Sequence, residues 1–446
     1  MTLIGATILP PALANGTERA SQLLHHYRPV PSDPLLAPIS RGTLYAPTSV
    51  RASSAWGIGA DGRSYRMPED LARYEWIDVD GDGVREQPAL VCEDASTNVC
   101  HFDHAFASWS TFGTISRTYF ATIGDADLYL VTDSDATNRA YLFRTIAASQ
   151  FVGGTAKGIR ILWGRGPSPA ASGAFVWLRD TSGAPADRCL CSITANGDGS
   201  PNVTPTTGVS VGSQYLRTEK GVKLYAIDVA SNAITVASPH EIRIGAATTA
   251  AQQGSVYLGA VLVERDDPRA SSRIETPAAA TLTRAREVLG WLAPYPVVGA
   301  QAWAVDLVES GATGLTSSVV AVLTDVNGAN PSLALTCAGG FYTLTHHNGT
   351  SSVVSTVSAA PAFGDRVRLV ATLFADGSVQ IGQGVNGGAV AYATRSAALK
   401  QFPWGAGAGV GWWLQPTATL SKAKTRLRRW KVAGAVLTEA QLANRW

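Results

Sequence analysis

The sequence is poor in charge. Asp, Glu, Lys and Arg make up 16% of it, the formal net charge is +2, and no long block of one sign appears before the last thirty residues. This scarcity argues against a chain built to hold a polyanion, so no nucleic-acid partner is expected. Cysteine is scarce as well: Cys92, Cys100, Cys189, Cys191 and Cys337 are an odd number spread over 446 residues. That excludes the disulfide framework of a small secreted domain and fits assembly in a reduced compartment. No apolar run approaches the length of a membrane span, so no membrane partner is expected. The amino terminus, MTLIGATILPPALANG, lacks a basic leading segment and is broken by Pro10 and Pro11. It reads as an arm rather than a signal peptide.

Long amphipathic helical runs are missing too. In their place stand 44 glycines with abundant Ala, Thr, Ser and Val, the composition of many short strands joined by tight turns. The expected fold class is mostly β. A chain of 446 residues exceeds a single ordinary core and implies two or three domains.

Residues 1–55 hold seven prolines and little periodicity, which reads as an extended docking arm. Residues 56–98 read as a collar of two β-hairpins with Asp-Gly at their tips. From 99 to 268, apolar-rich runs such as KGIRILWG and SVYLGAVLVE recur between Gly, Asp, Asn and Pro, the pattern of an antiparallel sandwich. Both alternating sets of SVYLGAVLVE are apolar, so a central strand covered on both faces is expected. Residues 269–298 read as a linker, and 299–446 as a second sandwich. There Asp376 and Gly377 are expected to form a two-residue hairpin tip, with Val367, Leu369, Ala371 and Leu373 on one apolar face. Thr438 and Gln441 have capping-box spacing and predict one short terminal helix.

The order of segments carries a resemblance. WGIGADGRSYRMPEDLARYEW, then PALVCEDASTN, then YLGAVLVERDDPRASSRIETPAAATLTRAREV resembles a class of tailed-phage and prophage virion proteins. In that class a hairpin region with a Thr-Asn segment precedes a carbohydrate-binding-module-like jelly roll that closes on a Leu-Glu … Thr-Pro … Thr-Arg-Ala segment. The carboxyl part, GDRVRLVATLFADGSVQIGQGVNGG and RLRRWKVAGAVLTEAQLANRW, is similar to the laminin-G or concanavalin A-like domains that commonly follow. The likeness covers about residues 50 to 446. Two positions depart from it: Val263 intervenes before Glu264, and Cys92 replaces an aliphatic residue. The resemblance implies a structural virion component, whether tail-associated, fibre-like or capsid-decorating, assembled in the host cytoplasm. Its implied partners are other virion proteins and copies of itself. A receptor for host-surface glycan is the alternative.

Four sets of residues are candidate sites. In WIDVDGDGVREQP, Asp78, Asp80, Asp82, the Val84 carbonyl and Glu86 occupy oxygen-ligand positions of an EF-hand-type calcium loop, with Gly83 at its sharp turn. The closing bidentate position, however, falls on Ala89, and a β-like run follows at once. Two readings stay open: a hairpin tip whose aspartates bond their own backbone, or a turn that holds Ca2+. No cofactor is required. Cys92, Cys100 and the histidines of CHFDH could supply zinc donors but lack a second paired spacing. Trp404, Trp412 and Trp413 lie in a glycine-rich segment and are candidate glycan-stacking aromatics, set against packing in the core. Lys422, Lys424, Arg426 and Arg428 alternate along a strand and so share one face. That face is either solvated or meets an acidic neighbour in the particle.

Enzymatic activity is not expected. Glycan hydrolases need paired carboxylates on one strand face, and the Glu, Asp, Glu spacing of concanavalin-like glucanases is absent from the sequence. So are the GxSxG, HExxH and P-loop motifs.

Overall fold

The structure, a computed structural model, describes residues 23–27, 39–40, 43–44, 48–53, 55–62, 64–67, 69, 73–78, 85, 87–92, 96–98, 100, 106–123, 126–146, 157–167, 173–180, 186–231, 240–249, 252–265, 282–284, 287–292, 299–309, 318–324, 332–338, 340–362, 364–401, 411–415 and 425–433. Among these residues the chain is almost entirely strand, every pairing is antiparallel, and four large sheets form two β-sandwiches. The mostly β fold follows from the short apolar alternations read above. The expected terminal helix lies outside the described residues.

In the first sandwich an eight-stranded sheet faces a six-stranded one. Strand Gly254–Arg265 runs between Ala126–Asp133 and Lys157–Arg165 at the centre of the larger sheet. It is covered on both faces, as its double apolarity predicts. Part of that double apolarity has a more local cause. A β-bulge breaks the register opposite Arg160 and Leu162, and Ala260 takes a φ of 40° there. The extra residue inverts the alternation. Val256 and Leu258 therefore share the inner core with Val261 and Val263, while Tyr257 turns to the outer face.

The second sandwich packs a ten-stranded sheet on a seven-stranded sheet. Val367, Leu369, Ala371 and Leu373 lie in its core as expected, among Trp303, Trp412 and Trp430. The hairpin tip at Asp376 and Gly377 differs from expectation. Phe374 and Ser378 close the ladder, the Gly377 N–H donates to the Phe374 carbonyl at 2.9 Å, and Gly377 has a φ of 76°. This is a three-residue loop in which a type I turn is followed by a left-handed glycine.

The largest differences concern the arm, collar and linker, which are woven into the sandwiches. From the arm, strand Leu23–Tyr27 pairs with Thr425–Ala433 of the ten-stranded sheet, and Thr48–Val50 pairs with Val288–Leu292 of the seven-stranded sheet. The linker thus supplies Val288–Leu292 to the second sandwich, and its Leu282–Arg284 pairs with Ser96–Asn98, which in turn joins Gly254–Arg265 of the first. Both collar hairpins form: Ala55–Ile58 with Ser64–Met67, and Arg73–Ile77 with Gln87–Val91. Pairings between segments hundreds of residues apart leave no local trace in the sequence.

Candidate functional site

The collar hairpins, the linker and strand Thr425–Ala433 meet in a buried, charged seam between the two sandwiches. In strand Arg73–Ile77 the alternate residues Arg73, Glu75 and Ile77 are all buried. Buried charge is tolerated only when paired, and each of these charges is. Glu287, at the foot of Val288–Leu292, accepts from Arg51 at 2.6 Å and from Arg73 at 3.1 Å. Glu75 accepts from the Arg426 Nε at 2.6 Å. The hairpin's second strand pairs Val91 with Arg426 and Leu90 with Leu427, which brings Arg426 to Glu75.

Arg85 extends the seam into the first sandwich. It is 5% exposed, and its Nε donates to the Leu216 carbonyl at 2.9 Å. Its other nitrogens donate to the carbonyls of Trp76 and Tyr215. Strand Val209–Glu219 is an edge of the eight-stranded sheet and is bulged at Leu216, where the register to Val222–Ser231 breaks. An edge strand leaves outward carbonyls unpaired, and Arg85 takes two of them. The first hairpin lands on the same place: a Cβ on Gly62 would meet the Leu216 carbonyl oxygen at 2.1 Å, and Arg217 donates to the Asp61 carbonyl at 3.2 Å. Its Ile58 packs on an outer apolar cluster with Leu128, Leu162 and Leu224. A small cavity of about 70 Å³ remains under the hairpin, lined by Ile58, Glu75, Arg160 and Leu216.

Burial holds the Arg85 guanidinium down at about 10, with Arg426 lowering it further and Glu75 and Asp78 opposing. It stays protonated at neutral pH. The carboxylates of Glu75 and Glu287 likewise face guanidinium groups. The arrangement suits a permanent joint rather than proton transfer.

The predicted site residues fare unequally. Asp78 is described and half-buried beside this joint; Asp80, Asp82, Val84 and Glu86 lie outside the described residues. The flanking strands Arg73–Ile77 and Gln87–Val91 pair antiparallel, with Ile77 opposite Gln87. Among the described residues, no group of three His, Cys, Asp or Glu is placed to hold a metal ion. Cys92 and Cys100 are buried thiols, and the histidines of CHFDH lie outside the described residues.

The glycan-stacking role of Trp412 and Trp413 is contradicted. They are 2% and 1% exposed, one on each face of strand Gly411–Gln415, which is interior to the seven-stranded sheet. Trp412 joins the inner core. Trp413 lies across Gly290, where a Cβ would meet its ring at 2.4 Å, and donates to the Thr324 carbonyl at 3.2 Å. Trp404 lies outside the described residues. The basic interface is corrected in the same way. Arg426 and Arg428 are buried in an interior strand, paired with Glu75 and with Asp306, so neither can meet a partner; Lys422 and Lys424 lie outside the described residues.

No family model matches the chain, and no curated protein matches it. Among solved structures it is similar to domains LG4-5 of the mouse laminin alpha1 chain, at 11% identity over 72% of this chain and 92% of that chain, with a TM-score of 0.23. A likeness of that size carries no argument, and the sandwich architecture rests on the sheets and cores described above.

Sequence reasoning missed Arg51, Arg73, Arg85 and Glu287 because an isolated charge beside a turn resembles a solvated one. One signal was present. The Thr-Asn and Leu-Glu segments of the resemblance meet in register: Asn98 opposes both Glu264 and Leu282, and its Oδ1 accepts from the Val263 and Cys100 N–H groups.

Proposed function

We propose that the chain is a structural component of a bacteriophage virion that presents two β-sandwiches at the particle surface, the first carbohydrate-binding-module-like and the second laminin-G or concanavalin A-like. It works by buried area rather than catalysis, as a symmetric homo-oligomer among other virion proteins. The observation that supports this reading is the seam: the arm strand Leu23–Tyr27 and the collar strand Gln87–Val91 lie along one edge of Thr425–Ala433. Two domains joined only by a linker move relative to each other. Strands and buried ion pairs from several distant segments remove that freedom, which a projecting surface protein needs. Docking on the particle is assigned to the N-terminal arm, whose described strands Leu23–Tyr27 and Thr48–Val50 pair with strands of the second sandwich.

Peptide mass spectrometry of purified particles tests the reading. The account expects this chain at a copy number that is a multiple of the particle's local symmetry. Its absence from particles made in cells that express it would overturn the proposal.

A further inference from the structure

Strand Ser352–Thr356 is the outermost of the seven-stranded sheet and pairs on one side only, with Phe341–His347. The Val357 N–H donates to the Tyr342 carbonyl at 3.0 Å, and the Asn348 N–H to the Ser351 carbonyl at 3.1 Å. That phase makes Val353 and Ser355 the residues whose backbone groups face the neighbouring strand. The N–H and C=O groups of Ser352, Val354 and Thr356 then point away from the sheet. All three residues are exposed, Val354 to 54%. On the inner side the strand is anchored. Val353 packs on the core of the second sandwich, and the Ser355 hydroxyl donates to the Thr394 carbonyl at 2.8 Å and accepts from the Ile381 N–H at 3.2 Å.

An open edge invites another strand, and proteins guard against it with short strands, bulges, proline, charge or a cover. Among the described residues, the other edges of the large sheets carry such guards. Thr43–Leu44 and Ala391–Tyr392 are two residues long, and Ser110–Phe112, Thr48–Val50 and Leu282–Arg284 are three. Pro201–Pro205 begins and ends on proline, and Ile115–Ile123 is bulged at Phe120, whose carbonyl accepts from Lys220 at 2.8 Å. Val209–Glu219 lies under the collar, and Arg73–Ile77 lies in the seam. Ser352–Thr356 has none of these devices. Its register is unbroken and its sequence, SVVST, is uncharged. No Asp, Glu, Lys or Arg occurs anywhere between Asp325 and Asp365, and depletion of charge marks the centre of a protein–protein contact.

We infer that Ser352–Thr356 is the contact between two copies of this chain, paired antiparallel across a two-fold axis at Val354 so that their seven-stranded sheets continue as one. The occupant is a second copy because the strand complements itself. Two-fold pairing sets Val354 against the copy's Val354 and Ser352 against the copy's Thr356. The outward backbone groups then fall in the hydrogen-bonded positions of the new ladder. β-Branched side chain meets β-branched side chain, hydroxyl meets hydroxyl, and no like charges are opposed. Such a contact is isologous and closes at two copies. The inference rests on the homo-oligomer proposed above, for which it supplies the contact. One short strand per copy makes a small interface, so the dimer forms as concentration rises.

Sedimentation equilibrium of the full chain tests it. The mass should climb with concentration from one chain to two and stop there. Val354→Lys, which opposes two ammonium groups, should abolish the dimer, and Val354→Thr should keep it. Val354 is exposed, so both variants should melt like the wild type. Val354→Cys should oxidise to a covalent dimer, because facing Cα atoms about 5.5 Å apart suit a disulfide. Thr350→Cys, exposed at the hairpin tip and remote from its own copy in an antiparallel pair, should not. A wild type that stays a single chain would overturn the inference, as would cross-linking of Thr350→Cys as readily as Val354→Cys. Dimerisation of Val354→Lys as strong as that of the wild type would overturn this contact and leave the homo-oligomer to another surface. Absence of the chain from particles bears on the proposed function and leaves this result untouched.

Discussion

Arg85 reaches the Leu216 carbonyl at 2.9 Å across 131 positions of sequence. The contact joins a collar hairpin, whose other strand edge is already part of the second sandwich, to a bulged edge strand of the first. It closes a mechanical chain from Thr425–Ala433 through the hairpin to Val209–Glu219. The same bulge receives Gly62 from the first hairpin. An edge that would otherwise offer its carbonyls to another chain is thereby covered.

Arg85→Ala should destabilise the protein by about 2–4 kcal/mol, because it leaves buried carbonyls without a charged donor. Calorimetry should then show the first sandwich melting apart from the second, where the wild type melts in one transition. One unchanged transition in Arg85→Ala would show that the joint does not depend on this residue.

Glu287→Gln should cost about 3–5 kcal/mol, the usual loss when one member of a buried ionic group is removed. Arg51 and Arg73 share that carboxylate, so both lose an ionic contact. Urea denaturation measures the loss, and a cost below about 1 kcal/mol would mean that water or another group takes over the pairing.

His346 should make stability depend on pH. It is buried, with Nδ1 2.8 Å from the Gly377 carbonyl, and burial pushes its pKa below the ordinary histidine value. The depressed folded-state pKa means that the unfolded chain binds the proton first. The stabilisation is complete above the unfolded pKa of about 6.5 and is lost as pH falls toward the folded pKa. Urea midpoints at pH 8 and pH 5.5 should therefore differ more in the wild type than in His346→Asn, and equal differences would exclude His346 as the source.

Asp78, Asp80, Asp82, the Val84 carbonyl and Glu86 keep both readings of their spacing, a plain turn or a Ca2+ loop, and titration calorimetry of the chelator-treated protein separates them. The turn reading predicts no heat beyond dilution, with Asp80→Ala like the wild type. A saturable heat lost in Asp80→Ala would establish the cation site that the spacing of Asp78, Asp80, Asp82 and Glu86 allows.

The strands, the central position of Gly254–Arg265 and the collar hairpins were legible in the sequence because they depend on local alternation and on Asp-Gly turns. The seam was not. Thr48–Val50 and Leu282–Arg284 are three residues each, too short to show a period, and their partners lie far along the chain. Bulges hid a second layer of information, since Ala260 and Leu216 each shift the alternation by one. Trp412 and Trp413 misled because a glycine-rich flank reads as an exposed loop. Here Gly290 does the opposite and makes room for an indole on the neighbouring strand.

Cryo-electron microscopy of the purified particle tests the central claim most directly. The account predicts density for both sandwiches at symmetry-related surface positions, in one fixed relative orientation, with the 73–91 hairpin resolved between them. Particles without this chain, or with two sandwiches that vary in orientation from copy to copy, would contradict it.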